Sequence, residues 1–346
     1  MAKIVVLATG GTIAGKSSSA GDGVAYQAAQ IGVEDLLENV PGLRDLLGAD
    51  TLEGEQIAQI NSKDMEFAVW QRLAQRCAHW LAQADVRGIV VTHGTDTIEE
   101  TAFFLQQTLA SVPNAEKWQD KPVLLTCAMR PATARLSDGP QNLADTISVA
   151  QDTQARGVMV VVAGQVHDAA AVEKIHPYRL DAFSSGDGGP LAYVEESAVR
   201  WLRTPPGWPQ QAEKGLWQAL ADTPPAQWPW VETLHSHTNA DPRALQALAQ
   251  AGVQGVVLVG TGNATLHQAL EQAAQPLQDQ GLALLLAPRC TASAVVRSAA
   301  SAADPVPLAW YGAGQGSAPI ALPASKARLL LLLRLLAQAG TMQAAS

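Results

Sequence analysis

A chain of 346 residues is too long for one ordinary hydrophobic core, so two domains are expected. Hydrophobic residues make up 47% and charged residues 16%, a balance that suits well-buried sheets in a soluble globular protein. The net charge of −9 works against a nucleic-acid surface. Cys77, Cys127 and Cys290 are dispersed and odd in number, without a CxxC or a Cys/His cluster, so they read as reduced structural thiols.

Met1-Ala2-Lys3 leads straight into an apolar run without a signal peptide, which reads as cytoplasmic, or periplasmic if a leader has been removed. Ile4–Ala8 reads as a buried strand, and Ala8-Thr9-Gly10-Gly11-Thr12-Ile13-Ala14-Gly15 follows as a Gly-rich turn. Gly10 to Ser17 also fits the G-x-x-x-x-G-K-[ST] phosphate loop. That reading requires a helix to begin at Lys16-Ser17, whereas Ser18 to Gly23 is helix-poor, and no Asp-ended strand for Mg²⁺ is evident. A nucleotide-binding protein therefore stands only as an alternative.

From Asp64 to Gln83 the spacing predicts a helix with Val69, Leu73, Cys77, Trp80 and Leu81 on one face. Ile89–Thr92 is the next strand, and it feeds Thr92-His93-Gly94-Thr95-Asp96-Thr97. Further strands are expected at Val123–Thr126, Val158–Ala163, Val256–Val259 and Leu282–Leu286, with a helix over Ala264–Gln280. Thr204 to Trp230 is dense in proline and tryptophan, which predicts a strap without continuous regular structure. His235-Ser236-His237 alternates as on a strand and lacks further ligands nearby, so no metal is expected. Pro323-Ala324-Ser325 starts a C-terminal helix with Ser325 as N-cap, and its Leu329–Leu333 run is cut by Arg334, too short for a bilayer. The βαβ alternation gives an α/β fold of two domains, each a mostly parallel sheet flanked by helices. The expected boundaries are 1–203, a linker at 204–230, and 231–346.

Both Gly-rich turns place a threonine at the C-terminal end of a strand, the edge where open α/β sheets bind ligands. Two hydroxyls among exposed backbone N–H groups point to a nucleophile and an oxyanion hole.

These residues resemble the bacterial L-asparaginase family. The resemblance spans nearly the whole chain, and the joint occurrence of ATGGTIAG and THGTDTIEETAFFL is highly specific. Supporting segments are Asn61 to Met65, Ala128 to Pro131, Ser137 to Leu143 and Gly189 to Tyr193. Their details look more like the often exported type II group than the cytoplasmic type I group. The resemblance implies hydrolysis of L-asparagine to L-aspartate and ammonia, with L-glutamine as a side substrate and no cofactor or metal. It also implies a homotetramer whose sites are completed across an intimate subunit pair, with no nucleic-acid or membrane partner.

By the same resemblance Thr12 is the nucleophile, and Tyr26 contacts it from a loop whose Ser17–Gly23 segment would act as a lid hinge. Thr95, Asp96 and Lys174 form the second catalytic group, with Asp96 also on the substrate's α-ammonium. Ser62, ahead of a helix starting near Asp64, receives the α-carboxylate, and the Ala128 carbonyl accepts from the substrate amide. Gly11 and Gly94 allow close backbone approach. His93 resembles an oriented, buried histidine, and Asp168 reads as structural.

Two positions depart from the family pattern. Lys63 stands where glutamine or glutamate is frequent, beside the substrate's amino group. Its side chain is expected to turn outward to solvent or an acid, with Glu66 a candidate. Thr265 stands where a neighbouring subunit often contributes asparagine or serine, and no glutamate is evident in Ala299 to Pro307. A catalytically impaired amide-binding relative is therefore a further alternative.

Overall fold

The structure is a computed structural model that describes residues 1–17, 26–210, 212–292, 295–296, 309–310 and 322–344. Contacts divide the chain into Met1–Ser185 with Gly189–Ala212, and Gly186–Gly188 with Glu213–Ser346.

The first unit is built on β1 (Lys3–Gly10), β2 (Lys16–Ser17), β3 (Tyr26–Gln27), β4 (Thr51–Ile60), β5 (Val86–Thr92), β6 (Pro122–Thr126), β7 (Gly157–Val162), β8 (Gln165–Asp168), β9 (Glu173–Lys174), β10 (Phe183–Ser184), β11 (Ala192–Glu195) and β12 (Ala198–Trp201). Its helices are α1 (Val33–Glu38), α2 (Leu43–Leu47), α3 (Phe67–Leu81), α4 (Ile98–Ala110) and α5 (Gly139–Gln151). Eight strands form one sheet in the order β12-β11-β8-β7-β6-β5-β1-β4. The pairs from β7 to β4 are parallel, whereas β7–β8, β8–β11 and β11–β12 are antiparallel. The α/β expectation holds, and β8, β11 and β12 extend the parallel sheet by an antiparallel edge.

Alternation along β1 explains the layers. Ile4, Val6 and Ala8 join the core that includes Leu143 and Ile147 of α5, while Val5 and Leu7 are equally buried on the opposite face. β1 lies between β4 and β5, and Ala8 pairs with Thr92. The chain leaves β1 toward β4 on one side and returns to β5 on the other, so the ends of β1 and β5 form a topological switch point.

The helix expected from Asp64 begins at Phe67. Ser62–Asp64 is a short 3₁₀ turn, and Met65 and Glu66 are extended. Trp70 is buried and Val69 only partly so, because the later start leaves the apolar face centred on Trp70, Leu73, Ala74 and Cys77. Val158–Ala163 ends one residue earlier as a strand, because Ala163 has a positive φ of 50° in the turn to β8.

The second unit holds β13 (Val231–His235), β14 (Gly255–Gly260), β15 (Ala283–Pro288) and β16 (Ala309–Trp310), parallel in that order, with α6 (Leu216–Asp222), α7 (Arg243–Gln250), α8 (Gln268–Asp279) and α9 (Ala324–Ala344). Leu329, Leu332 and Leu333 of α9 are fully buried. The α9 cap falls on Pro323, whose carbonyl accepts from Ala327 N at 2.9 Å, so Ser325 lies within the first turn. The predicted Ala264–Gln280 helix starts only at Gln268, because Thr261 and Thr265 exchange two backbone hydrogen bonds in a tight turn. The Pro/Trp-rich stretch is not irregular throughout: α6 occupies its proline-free middle and packs on α9, where Gly340 allows close approach to Ala219. Trp208 and Trp228 are buried. No helix among the described residues is long and apolar enough to cross a membrane.

Candidate active site

At the end of β1 the chain turns through Gly10 and Gly11 at φ of 102° and 84°, a region that favours glycine. A side chain on Gly11 would strike the backbone of Gly94, and one on Gly94 would strike Ser62 Oγ. The two Gly-rich turns therefore touch backbone to backbone. Thr12 opens a 3₁₀ turn, Thr12–Ala14, and Thr12 and Thr95 are both buried. Among the described residues no group accepts from the backbone N–H of Thr12 or of Thr95.

Pairing of β2 with β3 brings Tyr26 back over this turn, and Thr12 Oγ1 and Tyr26 Oη are 2.6 Å apart. The same pairing removes the phosphate-loop alternative, since Lys16-Ser17 is a strand and no helix begins there. The backbone N–H of Ser17 donates to Thr133 Oγ1 at 2.8 Å, and Ala132 N donates to the Gly15 carbonyl at 3.0 Å. Of the expected hinge Ser17–Gly23, residues 18–23 lie outside the described residues.

The second group is also assembled. Lys174 Nζ donates to Thr95 Oγ1 at 2.8 Å and to Asp96 Oδ1 at 2.7 Å. Glu99 anchors Lys174 by accepting from its backbone N–H. Asp96 is half exposed, and among the described residues its Oδ2 accepts no hydrogen bond, which leaves that oxygen for a cation. Ser62 is buried, but not before a helix as expected. Its hydroxyl accepts from Asp96 N at 3.2 Å and its carbonyl from Thr97 Oγ1 at 2.8 Å, which ties the 3₁₀ turn to the Thr95 loop.

Lys63 does turn outward, but to Asp64 and not Glu66, with Nζ 2.7 and 2.6 Å from the two carboxylate oxygens. The i+3 geometry that would favour Glu66 needs an α-helix, and this segment is a 3₁₀ turn followed by extended backbone.

Ala128 is buried, and among the described residues no donor reaches its carbonyl. The loop that carries it is held by two residues whose roles no local sequence pattern marks. Asp138 accepts from Met129 N at 2.9 Å and Arg130 N at 3.0 Å. Asn142 donates to the Cys127 carbonyl at 2.9 Å and to Asp138 Oδ2 at 3.2 Å, and accepts from Ala163 N at 3.0 Å. Asp168 is structural: its Oδ1 accepts from Ala170 N and Ala171 N in the turn before β9. Thr265 lies in the second unit, and the Ala299–Pro307 segment lies outside the described residues.

His93 is fully buried beneath the Thr95 loop, and burial lowers its imidazole pKa to about 4. The unfolded chain then binds more protons than the native one between about pH 4 and 6.5, so stability is full above that window and falls as pH drops through it. The loss between pH 7 and 5 is about 2 kcal/mol. We expect the urea midpoint of the wild type to fall more steeply over this range than that of His93→Gln; parallel pH slopes would show that His93 is not buried neutral.

Cys77 and Cys127 are buried, with thiols pushed up by that burial, and Cys290 is exposed; all are free thiols. Among the described residues no group of three or more His, Cys, Asp or Glu side chains is placed to hold a metal ion.

Residues 3–207 match the family described as asparaginase, N-terminal, and residues 230–345 match the glutaminase/asparaginase C-terminal domain. The chain is similar to a glutaminase-asparaginase of Pseudomonas fluorescens biotype A, 36% identical over 82% of this chain and 75% of the relative. A probable periplasmic L-asparaginase of Haemophilus influenzae is 37% identical over 79% of this chain and 74% of its own. The crystal structure of a probable cytoplasmic L-asparaginase from Campylobacter jejuni superposes with a TM-score of 0.79 at 33% identity, covering 97% of this chain and 95% of that one. Two touching threonine turns at the switch point of the sheet, together with these matches across both units, lead to one conclusion: the chain belongs to the asparaginase family.

Proposed function

We propose that the protein hydrolyses L-asparagine to L-aspartate and ammonia, with L-glutamine as a secondary substrate, through a threonine nucleophile. The observation that carries this reading is the pair of hydroxyls with separate polar partners, Thr12 on Tyr26 and Thr95 on Lys174 and Asp96. Thr12 Oγ1 bonds to the side-chain amide carbon, and its proton leaves along the 2.6 Å contact to Tyr26, which passes a proton on to the departing nitrogen. The N–H groups of Thr12 and Thr95 receive the oxyanion, and the C–N bond breaks to release ammonia. Water held at Thr95 Oγ1, whose hydroxyl Lys174 and Asp96 fix in place, then attacks the ester; as the bond to Thr12 breaks, the water's proton returns through Tyr26 to Thr12 Oγ1, which frees aspartate and restores the threonine. The Ala128 carbonyl accepts from the substrate amide, Ser62 meets the α-carboxylate, and Asp96 Oδ2 takes the α-ammonium.

Ammonia release from asparagine and glutamine, assayed side by side with EDTA and without ATP, tests this reading. Turnover in EDTA is expected. Phosphate release that requires Mg²⁺ would restore the nucleotide reading, and binding without turnover would identify a silent relative.

Lys63 is neutralised by Asp64 and points to solvent, so it does not repel the substrate's ammonium. An unscreened approach to about 4 Å would cost about 4 kcal/mol at an effective dielectric near 20. Lys63→Gln is accordingly expected to change KM for asparagine by less than about tenfold. A hundredfold tighter variant would show that the cation faces the ligand.

The working form is a homotetramer, in which Thr265 reaches a neighbour's site. Sedimentation is expected to give four copies of the 36.3 kDa chain, and an active monomer would remove this part of the proposal. A cytoplasmic location is supported by the cytoplasmic relative, although a periplasmic relative also matches, and cell fractionation decides between them.

A further inference from the structure

Beneath the Thr95 loop lies a chain of hydrogen bonds that the reaction described above does not use. Trp70 Nε1 is 2.8 Å from Thr101 Oγ1, Thr101 Oγ1 is 2.9 Å from His93 Nε2, and His93 Nδ1 is 2.8 Å from the Gly94 carbonyl oxygen. Its members come from three places: α3, α4 and the turn after β5. Trp70, Thr101 and His93 are all buried.

The donor direction of every link follows from chemistry. An indole N–H only donates, so Thr101 Oγ1 accepts from Trp70. A carbonyl only accepts, so His93 Nδ1 carries the proton that bonds Gly94. The imidazole is neutral in its buried setting, so Nε2 is a lone pair and must accept from the Thr101 hydroxyl. Each bond therefore has one sense only, and reversing any link leaves two donors or two acceptors face to face.

The final acceptor is informative. The Gly94 carbonyl belongs to the same peptide unit as the Thr95 N–H, which among the described residues has no acceptor. A hydrogen bond onto an amide carbonyl draws electron density from the nitrogen and makes its N–H a stronger donor, and chained bonds reinforce one another. The same bond fixes the peptide plane, and so the direction in which Thr95 N–H points.

We propose that Trp70, Thr101 and His93 form a one-way positioning relay that orients and polarises the Gly94–Thr95 peptide, so that its N–H is preset for the oxyanion of the amide substrate. This rests on the amidohydrolase reading of the site, in which that N–H meets the developing charge. His93 is a positioning residue and not a catalytic one, since it reaches the reacting atoms only through Gly94. The stack of Trp70 on Phe104, with ring centroids 4.8 Å apart and planes at 15°, holds the first donor in place.

The test compares Thr101→Val, Thr101→Ser and Trp70→Phe with the wild type. Valine keeps the shape of threonine and removes its hydroxyl, serine returns the hydroxyl, and phenylalanine keeps the aromatic packing while removing only the N–H. In Thr101→Val, kcat for asparagine should fall by about tenfold or more, with KM held within about threefold, because a misdirected donor weakens the transition state more than the ground state. Thr101→Ser should recover most of kcat, and Trp70→Phe should shift kcat in the same direction as valine by a smaller factor. In TROSY spectra of selectively ¹⁵N-labelled enzyme, His93 should be protonated at Nδ1 in the wild type and in Thr101→Ser. The Thr95 amide proton should move upfield in Thr101→Val and, by less, in Trp70→Phe.

An unchanged Thr95 amide shift in both Thr101→Val and Trp70→Phe would overturn the relay, whatever the activity. So would a kcat per folded enzyme that is equal in all four proteins. If the wild type releases no ammonia, the amidohydrolase reading fails, while the amide shifts still decide whether the relay exists. If Thr101→Val does not fold, Trp70→Phe carries both readouts.

Discussion

Thr12→Ala is expected to lower asparagine turnover by at least about 10³-fold, equivalent to about 4 kcal/mol of barrier, while the protein stays folded. The two effects separate because the hydroxyl is chemically central but structurally minor. Thr12 gives up one side-chain hydrogen bond, to Tyr26, for a loss of about 1 kcal/mol. The backbone bonds of its turn, Ala14 N to Gly11 O and Gly15 N to Thr12 O, are untouched. Thr95→Ala should cost about 10²–10⁴-fold, since it strips Lys174 Nζ of its hydroxyl partner but leaves the ion pair with Asp96. The measurement is ammonia release per folded enzyme, with circular dichroism to confirm the fold. Residual activity above about a tenth in Thr12→Ala would remove Thr12 from the nucleophile's role.

Asn142→Leu is expected to be strongly destabilising, lowering unfolding free energy of the first unit by about 2–4 kcal/mol. Leucine has a similar volume, so little packing is lost. It leaves the buried Cys127 carbonyl without a partner, at about 1–3 kcal/mol, and removes the bond from the N–H of the exposed Ala163, at about 1 kcal/mol. It also takes from the Asp138 carboxylate one of three hydrogen-bond donors, so the Cys127–Arg130 loop loosens and the Ala128 carbonyl drifts. The variant should lose activity in step with that loosening, by more than about tenfold in kcat/KM at a temperature where it is still folded. Urea unfolding and steady-state kinetics check both halves; a midpoint and a kcat/KM close to wild type would show that the loop is held by other means.

How far the sequence spoke depended on the distance over which each feature is encoded. The buried strands were legible because Ile4 to Leu7 or Val256 to Val259 are continuous apolar runs that only a sheet covered on both faces accommodates. Strand β4 was not, because Thr51–Ile60 is an edge strand with polar residues along most of its length and buries fully only Ile57. The two threonine turns were legible as local glycine patterns, and their contact followed from the Ala8–Thr92 register. The start of α3 was misplaced because Ser62–Asp64 has the composition of a helix start but closes as a 3₁₀ turn, and the expected Lys63–Glu66 pair failed with it. The roles of Asp138, Asn142 and the Trp70–Thr101–His93 links depend on hydrogen bonds between separate elements, for which no local spacing is a signal. Tyr26 was placed by resemblance, since nothing in its own neighbourhood distinguishes it from a surface tyrosine.

In the proposed reaction Thr12 forms the bond to the substrate carbonyl. Enzyme quenched during turnover of asparagine, digested and examined by mass spectrometry tests it most directly, with Thr95→Val used beside the wild type to slow release of the ester. An aspartyl group is expected on the peptide that carries Thr12 and on that residue alone. An aspartyl group on Thr95, or a first turnover of ammonia from Thr12→Ala as large as that of the wild type, would contradict it.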